Sequence, residues 1–126
     1  MKKLIYTLLI IIALTNNSFS AGDSNTTAKA SDYTKAKNLI NAAKKYEKKG
    51  KIDKAQERYA KAQKLLLKSN EIKPLQADTL NYLGFTTRKL GDYEKGEKFY
   101  LLGLQVEPNH NGINEYLGEL YVVTNR

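Results

Sequence analysis

An internal repeat is the feature that most limits the folds open to this sequence. Residues 49–55 (KGKIDKA) and 90–96 (LGDYEKG) occupy equivalent places 41 residues apart. In each segment a glycine is followed nine residues later by a tyrosine, Tyr59 in the first and Tyr100 in the second. Repetition of this kind is typical of chains that stack copies of one supersecondary unit, because a single unit cannot bury its apolar face alone.

Apolar residues recur at helical spacing from residue 32 onward, and no convincing stretch alternates with the period of two that a strand requires. The first stripe follows the i, i+3, i+4, i+7 pattern through Leu39, Ala42, Ala43 and Tyr46. The later stripes are Ala55, Tyr59, Ala62 and Leu66; Leu80, Leu83, Gly84, Thr87 and Leu90; Gly96, Tyr100, Gly103, Leu104 and Val106; and Tyr116, Leu117, Leu120 and Tyr121. The pattern predicts an all-α domain of antiparallel helices joined by short turns.

Glycine, aspartate and proline mark the predicted ends of these helices. Gly50 and Gly91 stand where a left-handed helix stop is expected. Asp53 and Asp92 stand where the next helix needs an N-cap. Pro74 fits the first turn of a third helix.

The central segment, residues 77–108, resembles a tetratricopeptide repeat. The residues that carry the resemblance are Leu80, Leu83, Gly84, Leu90, Gly91, Asp92, Tyr93, Tyr100, Leu104 and Pro108. Weaker matches before and after it consist of Leu39, Ala42, Ala43, Tyr46, Gly50, Ala55, Tyr59 and Ala62, and of Leu117, Gly118 and Tyr121. The resemblance implies helix hairpins stacked as an α-solenoid of about two and a half repeats, at residues 36–69, 77–110 and, in part, 111–126.

Two features depart from the family's pattern. Gly96 and Gly103 stand where the family usually has alanine, so either the fourth helix is soft or something packs unusually close against it. The last repeat has its first helix and no second, so its apolar side chains are expected to lack their usual cover. These are Leu117, Leu120, Val122 and Val123. The chain could be a fragment or a shortened form, could form a homodimer through that helix, or could bury it on a partner.

The resemblance also implies a binding groove, because repeats of this family bind extended peptides or partner helices with the first helix of each hairpin. Carried over by position, the predicted groove residues are Lys37, Lys44, Lys48, Asn81, Phe85, Arg88, Lys89, Glu115 and Glu119, with Ile40 beside them. This groove would be basic at one end and acidic at the other, which suits a partner with acidic residues near the first hairpin. The implied function is a non-catalytic protein–protein interaction scaffold or adaptor, and the alternative is a solvated face with no dedicated ligand.

The positive charge is concentrated in the first half of the repeat region. Residues 29–68 contain 13 basic and four acidic residues, whereas residues 69–126 contain six basic and eight acidic ones. The Lys-rich segment 44–56 could therefore bind an anionic polymer or a membrane surface, which is the secondary hypothesis. A solvated helix face rich in a good helix former is the simpler explanation. No alternation of aromatic and basic residues suggests a stacking platform, which argues against the secondary hypothesis. We expect no nucleic-acid partner for a chain that is predicted to be exported.

The first twenty residues have the order of a secretory signal. Lys2 and Lys3 precede the uncharged apolar run 4–14, and the short polar stretch 15–20 follows it. A helix of eleven residues rises only about 16 Å, whereas the hydrocarbon core of a bilayer is about 30 Å thick. We predict a signal peptide at 1–20, of bacterial type, a flexible linker at 21–31, a repeat domain at 32–126 and a periplasmic or secreted location. An uncleaved N-terminal anchor is the alternative.

Residue counts limit the chemistry open to the chain. It has no cysteine and one histidine, His110, so a disulfide framework, a thiolate metal site and a multi-histidine metal site are excluded. No nucleophile has a credible base beside it. We therefore predict no enzymatic activity, no cofactor and no metal, and we interpret His110 as a surface residue of the turn after Pro108.

Overall fold

The computed structural model describes residues 30–126, which fold into five α-helices. These are α1 (Asp32–Lys48), α2 (Ile52–Ile72), α3 (Ala77–Lys89), α4 (Tyr93–Val106) and α5 (Asn111–Val123). No β-strand occurs within this range, so the predicted all-α class is confirmed for it. The predicted signal segment, 1–20, and nearly all of the predicted linker, 21–31, lie outside the described residues.

Consecutive helices pack against each other, and α3 lies at the centre of the arrangement. It packs against α2 and α4, its neighbours in sequence, and it also contacts α1 and α5. Ten of its 13 residues are buried, several of them polar. A helix buried around most of its circumference must be flanked on several sides. The contacts with α3 therefore help to position each of the other four helices.

Two apolar clusters lie on the two sides of α3. The first consists of Ala36, Ile40 and Ala43 from α1, Ala55, Tyr59, Ala62 and Leu66 from α2, and Leu83 and Phe85 from α3. The second consists of Ala77, Tyr100, Ile113, Leu117 and Leu120. The predicted stripe of α2 is confirmed, since all four of its residues are fully buried.

Several apolar residues lie elsewhere than the sequence predicted. Val106, which was assigned to the stripe of α4, is 46% exposed. Ile40 was expected beside the groove, but it is fully buried in the first cluster because α1 turns this side chain toward its neighbours. Leu117 and Leu120 were expected to lack cover, but α5 lays them against Tyr100 in the second cluster. Val122 and Val123 do remain exposed, at 76% and 57%.

The same turn ends α1, α3 and α5. Each turn has one residue with positive φ: Gly50 at +70°, Gly91 at +98° and Asn125 at +57°. In each, the N–H of that residue donates to the carbonyl three residues earlier, and the next N–H donates to the carbonyl five residues earlier. This pair of bonds is the Schellman motif, which satisfies carbonyls left free at a helix end. The stops at Gly50 and Gly91 are confirmed, and the stop at Asn125 was not predicted.

Two of the predicted helix starts are wrong. Asp53 lies inside the first turn of α2, whose cap is Lys51 with no side-chain hydrogen bond. Pro74 lies outside α3, because Leu75 adopts a φ of +57° and separates the proline from that helix. Asp92, in contrast, caps α4 as predicted, since its carboxylate accepts the backbone N–H three residues later at 3.0 Å.

His110 lies in the turn after Pro108, as predicted, but its side chain is not a freely exposed surface group, because it ties two helix starts together. Its Nδ1 accepts the N–H of Ile113 at 3.1 Å and thereby caps α5. Its Nε2 lies 2.8 Å from Oδ1 of Asp78, in the first turn of α3. Because Nδ1 is the acceptor, the ring carries its proton on Nε2 and donates it to the Asp78 carboxylate. The side chain is only 12% exposed.

Glycines allow α3 and α4 to approach closely. A Cβ on Gly84 would lie 2.5 Å from ring atoms of Tyr100, and a Cβ on Gly96 would lie 3.0 Å from the carbonyl oxygen of Gly84. The space beside Gly103 is filled in the same way by the side chain of Ile113. Close packing, one of the two explanations offered for the glycines of α4, is therefore confirmed.

Gly84 and Gly118 provide a matched test of this packing. We expect Gly84→Ala to lower the free energy of unfolding by about 1–3 kcal/mol, because the fully buried Tyr100 ring must move. A Cβ on Gly118, in the interior of α5, meets nothing within 4 Å. Gly118→Ala should therefore raise the free energy of unfolding by up to about 1 kcal/mol through helix propensity alone. Urea unfolding followed by circular dichroism measures both, and equal effects would contradict the close approach.

Candidate functional site

A cleft of about 330 Å³ is lined by side chains of α1, α3 and α5, the alternate helices of the chain. The lining residues are Lys44, Glu47 and Lys48 from α1, Phe85 and Lys89 from α3, and Glu115, Tyr116 and Glu119 from α5. Three helices that are not adjacent in sequence therefore contribute to one concave site. Its lining consists of three lysines, three glutamates and two aromatic residues.

Phe85 forms the floor of the cleft. It is only 3% exposed, and its ring centroid lies 4.8 Å from that of Tyr116 and 5.7 Å from that of Tyr59. The ammonium groups of Lys44 and Lys89 lie 4.6 Å and 5.7 Å from the Phe85 centroid. Cations over an aromatic face are attracted by the ring quadrupole. An apolar floor thus holds two of the three lysines of the cleft in place.

Lys44 links the two outer helices of the cleft, α1 and α5. Its ammonium donates a hydrogen bond of 2.9 Å to the Tyr116 hydroxyl, linking α1 to α5. The same ammonium lies 5.3 Å from the centroid of the Tyr116 ring. Because the two residues are 72 positions apart, this contact requires the whole stack of helices to be correctly assembled.

Glu47 accepts three hydrogen bonds at the inner edge of the cleft. Lys89 donates to both of its carboxylate oxygens at 3.1 Å, and the Tyr59 hydroxyl donates to one of them at 2.9 Å. Burial, and next this hydrogen bond to a carboxylate, raise the pKa of the Tyr59 hydroxyl above its ordinary value, so it remains a donor. The charges of Lys89 and Glu47 therefore largely satisfy each other.

Arg88 and Glu119 form the second ion pair at the cleft. The guanidinium donates to the Glu119 carboxylate at 2.8 Å; the arginine side chain is 7% exposed and that of Glu119 is 49% exposed. Two buried atoms near this pair, Nε of Arg88 itself and the Tyr100 hydroxyl, have no hydrogen-bond partner among the described residues. Burial raises the pKa of the Tyr100 hydroxyl, and the nearby guanidinium partly offsets this effect. The pair thus holds a buried cation of α3 against α5.

Three charged residues of the cleft, Lys44, Lys48 and Glu115, form no ion pair with a described residue. Lys44 donates its hydrogen bond to the Tyr116 hydroxyl, whereas Lys48 and Glu115 have no side-chain hydrogen bond among the described residues. Both are exposed. They lie on different helices, Lys48 on α1 and Glu115 on α5. Among the described residues, the cleft therefore has one cation on α1 and one carboxylate on α5 whose side chains have no polar partner.

Six of the nine predicted groove residues line this cleft. They are Lys44, Lys48, Phe85, Lys89, Glu115 and Glu119. The remaining three do not: Lys37 is exposed elsewhere on α1, Asn81 is buried with its Oδ1 unpartnered among the described residues, and Arg88 is buried behind Glu119. Asn81 and Arg88 are withdrawn from the surface because α3 is surrounded by the other helices.

Sequence reasoning missed two residues of the cleft, Glu47 and Tyr116. Glu47 follows Lys44 by three positions and therefore shares its face of the helix. Tyr116 lies on α5 beside Glu115, and its place in the apolar stripe of α5 concealed its contribution to the cleft. Both could have been found by extending the predicted groove across the full width of each first helix.

The lining of the cleft can make both apolar and charged contacts. Within residues 30–126 no three acidic or histidine side chains cluster closely enough to hold a metal ion. In the same range no helix has the length and apolarity needed to cross a membrane. The cleft offers an apolar floor and charges of both signs, which can orient a ligand that carries complementary charges.

No protein-family model matches the chain, and a search of the curated proteins returns no match.

Glu119 and Glu115 give a matched test of the buried ion pair. Both are exposed glutamates of α5, but Glu119 alone pairs with the buried Arg88. We expect Glu119→Ala to lower the free energy of unfolding by about 1–2 kcal/mol, since a buried guanidinium loses its partner while the exposed half of the pair is screened by water. Glu115→Ala should change it by less than about 0.5 kcal/mol. Chemical denaturation of both variants measures this difference, and equal values would show that the pair does not hold α5.

Proposed function

We propose that this chain is a tetratricopeptide-like helical repeat that binds a partner protein or peptide in the cleft between α1, α3 and α5, and that it catalyses nothing. The observation that carries the proposal is the cleft itself, because its lining comes from alternate helices. A stack of helix hairpins turns one helix of each hairpin toward the same side, and extended concave surfaces of this kind serve binding.

The three identical helix ends support the repeat interpretation. The turns at Gly50, Gly91 and Asn125 follow one another after 41 and 34 residues and share one hydrogen-bond pattern. They end α1, α3 and α5, the same helices that line the cleft. Equivalent ends on the cleft-lining helices are what a repeated hairpin requires. The first interval is longer because α2 has 21 residues and α4 has 14.

The free charges define the class of ligand. Lys48 on α1 attracts an acidic side chain or a carboxylate, and Glu115 on α5 attracts a basic one. An extended segment that carries both an acidic and a basic group could meet both residues across the cleft. Lys44 and Lys89 already have partners, so they would contribute positive potential rather than new ion pairs.

The proposed setting outside the cytoplasm rests on the sequence of residues 1–20 alone.

The proposed absence of catalysis rests on the hydrogen bonds and ion pairs that already occupy the polar groups described above. His110, the sole histidine, caps α5 and donates to Asp78, so it is not free to act as a base. The exposed Val122 and Val123 leave a homodimer through α5 as a further proposal about assembly.

The ligand preference can be tested with peptides selected from a random library for binding to the full chain. We expect Lys48→Glu and Glu115→Lys each to raise the dissociation constants of these peptides by about fivefold or more, since each reverses a free charge of the cleft. Both positions are exposed and unpaired, so the fold should be unaffected. Fluorescence anisotropy of labelled peptides measures the constants.

The matched controls reverse equally exposed charges outside the cleft. Lys64→Glu on α2 and Glu107→Lys after α4 should each change the same constants by less than about twofold. If the cleft variants bind the selected peptides as tightly as these controls do, the peptides bind elsewhere and the proposed site is wrong.

A further inference from the structure

The turn between α1 and α2 carries a second charged surface, separate from the cleft. Seven residues form it, and together we name them the basic tip: Lys45, Tyr46, Lys49, Lys51, Ile52, Lys54 and Arg58. They belong to the last turns of α1, the connection at Gly50 and the first two turns of α2. None of them lines the cleft.

The basic tip has an excess of positive charge. None of its four lysines, nor Arg58, forms a salt bridge with a described residue. The acidic residues of this hairpin are mostly engaged elsewhere: Glu47 binds Lys89 inside the cleft and Glu57 binds Lys61. Asp53 is the one free carboxylate within the tip's sequence range. The tip therefore projects a local field of positive potential.

Tyr46 organises these cations around an aromatic ring. The Lys54 ammonium and the Arg58 guanidinium carbon lie 5.8 Å and 5.9 Å from its centroid. A shallow depression of about 210 Å³, bordered by Lys45 and Lys49, opens beside the same ring. A partly exposed tyrosine among cations is the arrangement that suits a boundary between water and an apolar phase.

Ile52 is the residue that points to a specific kind of partner. It is the first residue of α2, it is 53% exposed, and lysines flank it at positions 51 and 54. A soluble polyanion would use the lysines but would gain nothing from an exposed isoleucine. A lipid surface would use both, because the apolar side chain can enter the headgroup boundary while the lysines meet anionic headgroups.

We propose that the basic tip docks on the surface of a bilayer that contains anionic lipids, with Ile52 inserted at the headgroup boundary and the surrounding cations in contact with the headgroups. This function goes beyond the proposed peptide binding and does not depend on it. The cleft, on α1, α3 and α5, remains accessible because none of its lining residues belongs to the tip.

Single labels at the two ends of α2 test the insertion. The chain contains no cysteine, so Ile52→Cys and the control Ile72→Cys each place one environment-sensitive fluorophore on the full chain. Ile72 is an equally suitable exposed isoleucine, at 73% exposure. Both proteins contain the same residues 1–29, so any contact made by that segment is common to both. Vesicles are prepared from phosphatidylcholine alone and from phosphatidylcholine mixed with phosphatidylglycerol.

We expect the fluorophore at position 52 to shift to the blue and to be shielded from an aqueous quencher with the anionic vesicles, and with those alone. The fluorophore at position 72 should change with neither. Lys49→Gln combined with Lys51→Gln, on the Ile52→Cys background, should raise the half-saturating vesicle concentration by about fivefold for each lysine removed. The control Lys64→Gln combined with Lys95→Gln removes the same net charge from exposed sites outside the tip and should change it less than twofold.

The proposal is overturned if position 52 stays in water, if it responds no differently from position 72, or if neutral vesicles act as anionic ones do. A further outcome would also overturn it: the double Lys→Gln variant loses binding to a soluble polyanion, while the fluorophore at position 52 remains accessible to the aqueous quencher on vesicles. That result would identify the tip as a polyanion site rather than a lipid site.

Discussion

The close approach of α3 and α4 is the constraint on which the rest of this structure depends. Gly84 receives the ring of Tyr100 in the space where any other residue would carry a Cβ, and Gly96 lies against the backbone of α3. Side chains can pack this tightly only where one partner has no side chain to displace. Because α3 also contacts α1, α2 and α5, its position against α4 sets where all the other helices lie.

The cleft is a consequence of that central helix. α3 supplies its floor, Phe85, and the cation Lys89, while α1 and α5 supply the two walls. Two ion pairs satisfy several of the charges at the cleft, Lys89 with Glu47 and Arg88 with Glu119. Pairing at the partly buried positions avoids the penalty of isolated buried charges. Lys48 and Glu115 are exposed, so water solvates them.

Local signals predicted the helices well, because they depend on residues close together in sequence. The buried stripe of α2 and the stops at Gly50 and Gly91 follow from apolar spacing and from glycine's access to positive φ. The third stop was missed because Asn125 replaces glycine there, although it follows Gly91 by 34 residues. That spacing, together with asparagine's tolerance of the left-handed region, was the available signal.

Features that depend on distant pairs could not be predicted. The bonds of Glu47 with Lys89 and of His110 with Asp78 join residues 42 and 32 positions apart. Whether such side chains meet depends on the crossing and rotation of the helices, which the apolar stripe fixes only approximately. The rotation of α1 was likewise not predicted, so Ile40 was assigned to the groove although it is buried in the core. A small rotation of α1 is enough to move a side chain from its groove face to its core face.

The central claim is that α1, α3 and α5 share one side of the molecule, and Lys44 reports on all three. Its ammonium lies over the rings of Phe85 and Tyr116, at 4.6 Å and 5.3 Å from their centroids. Nuclear magnetic resonance spectroscopy of the full chain should therefore show the ε-methylene protons of Lys44 shifted upfield by ring currents, with nuclear Overhauser effects to both rings. A Lys44 signal at the position of a solvated lysine, with no such effects to Tyr116, would contradict the account.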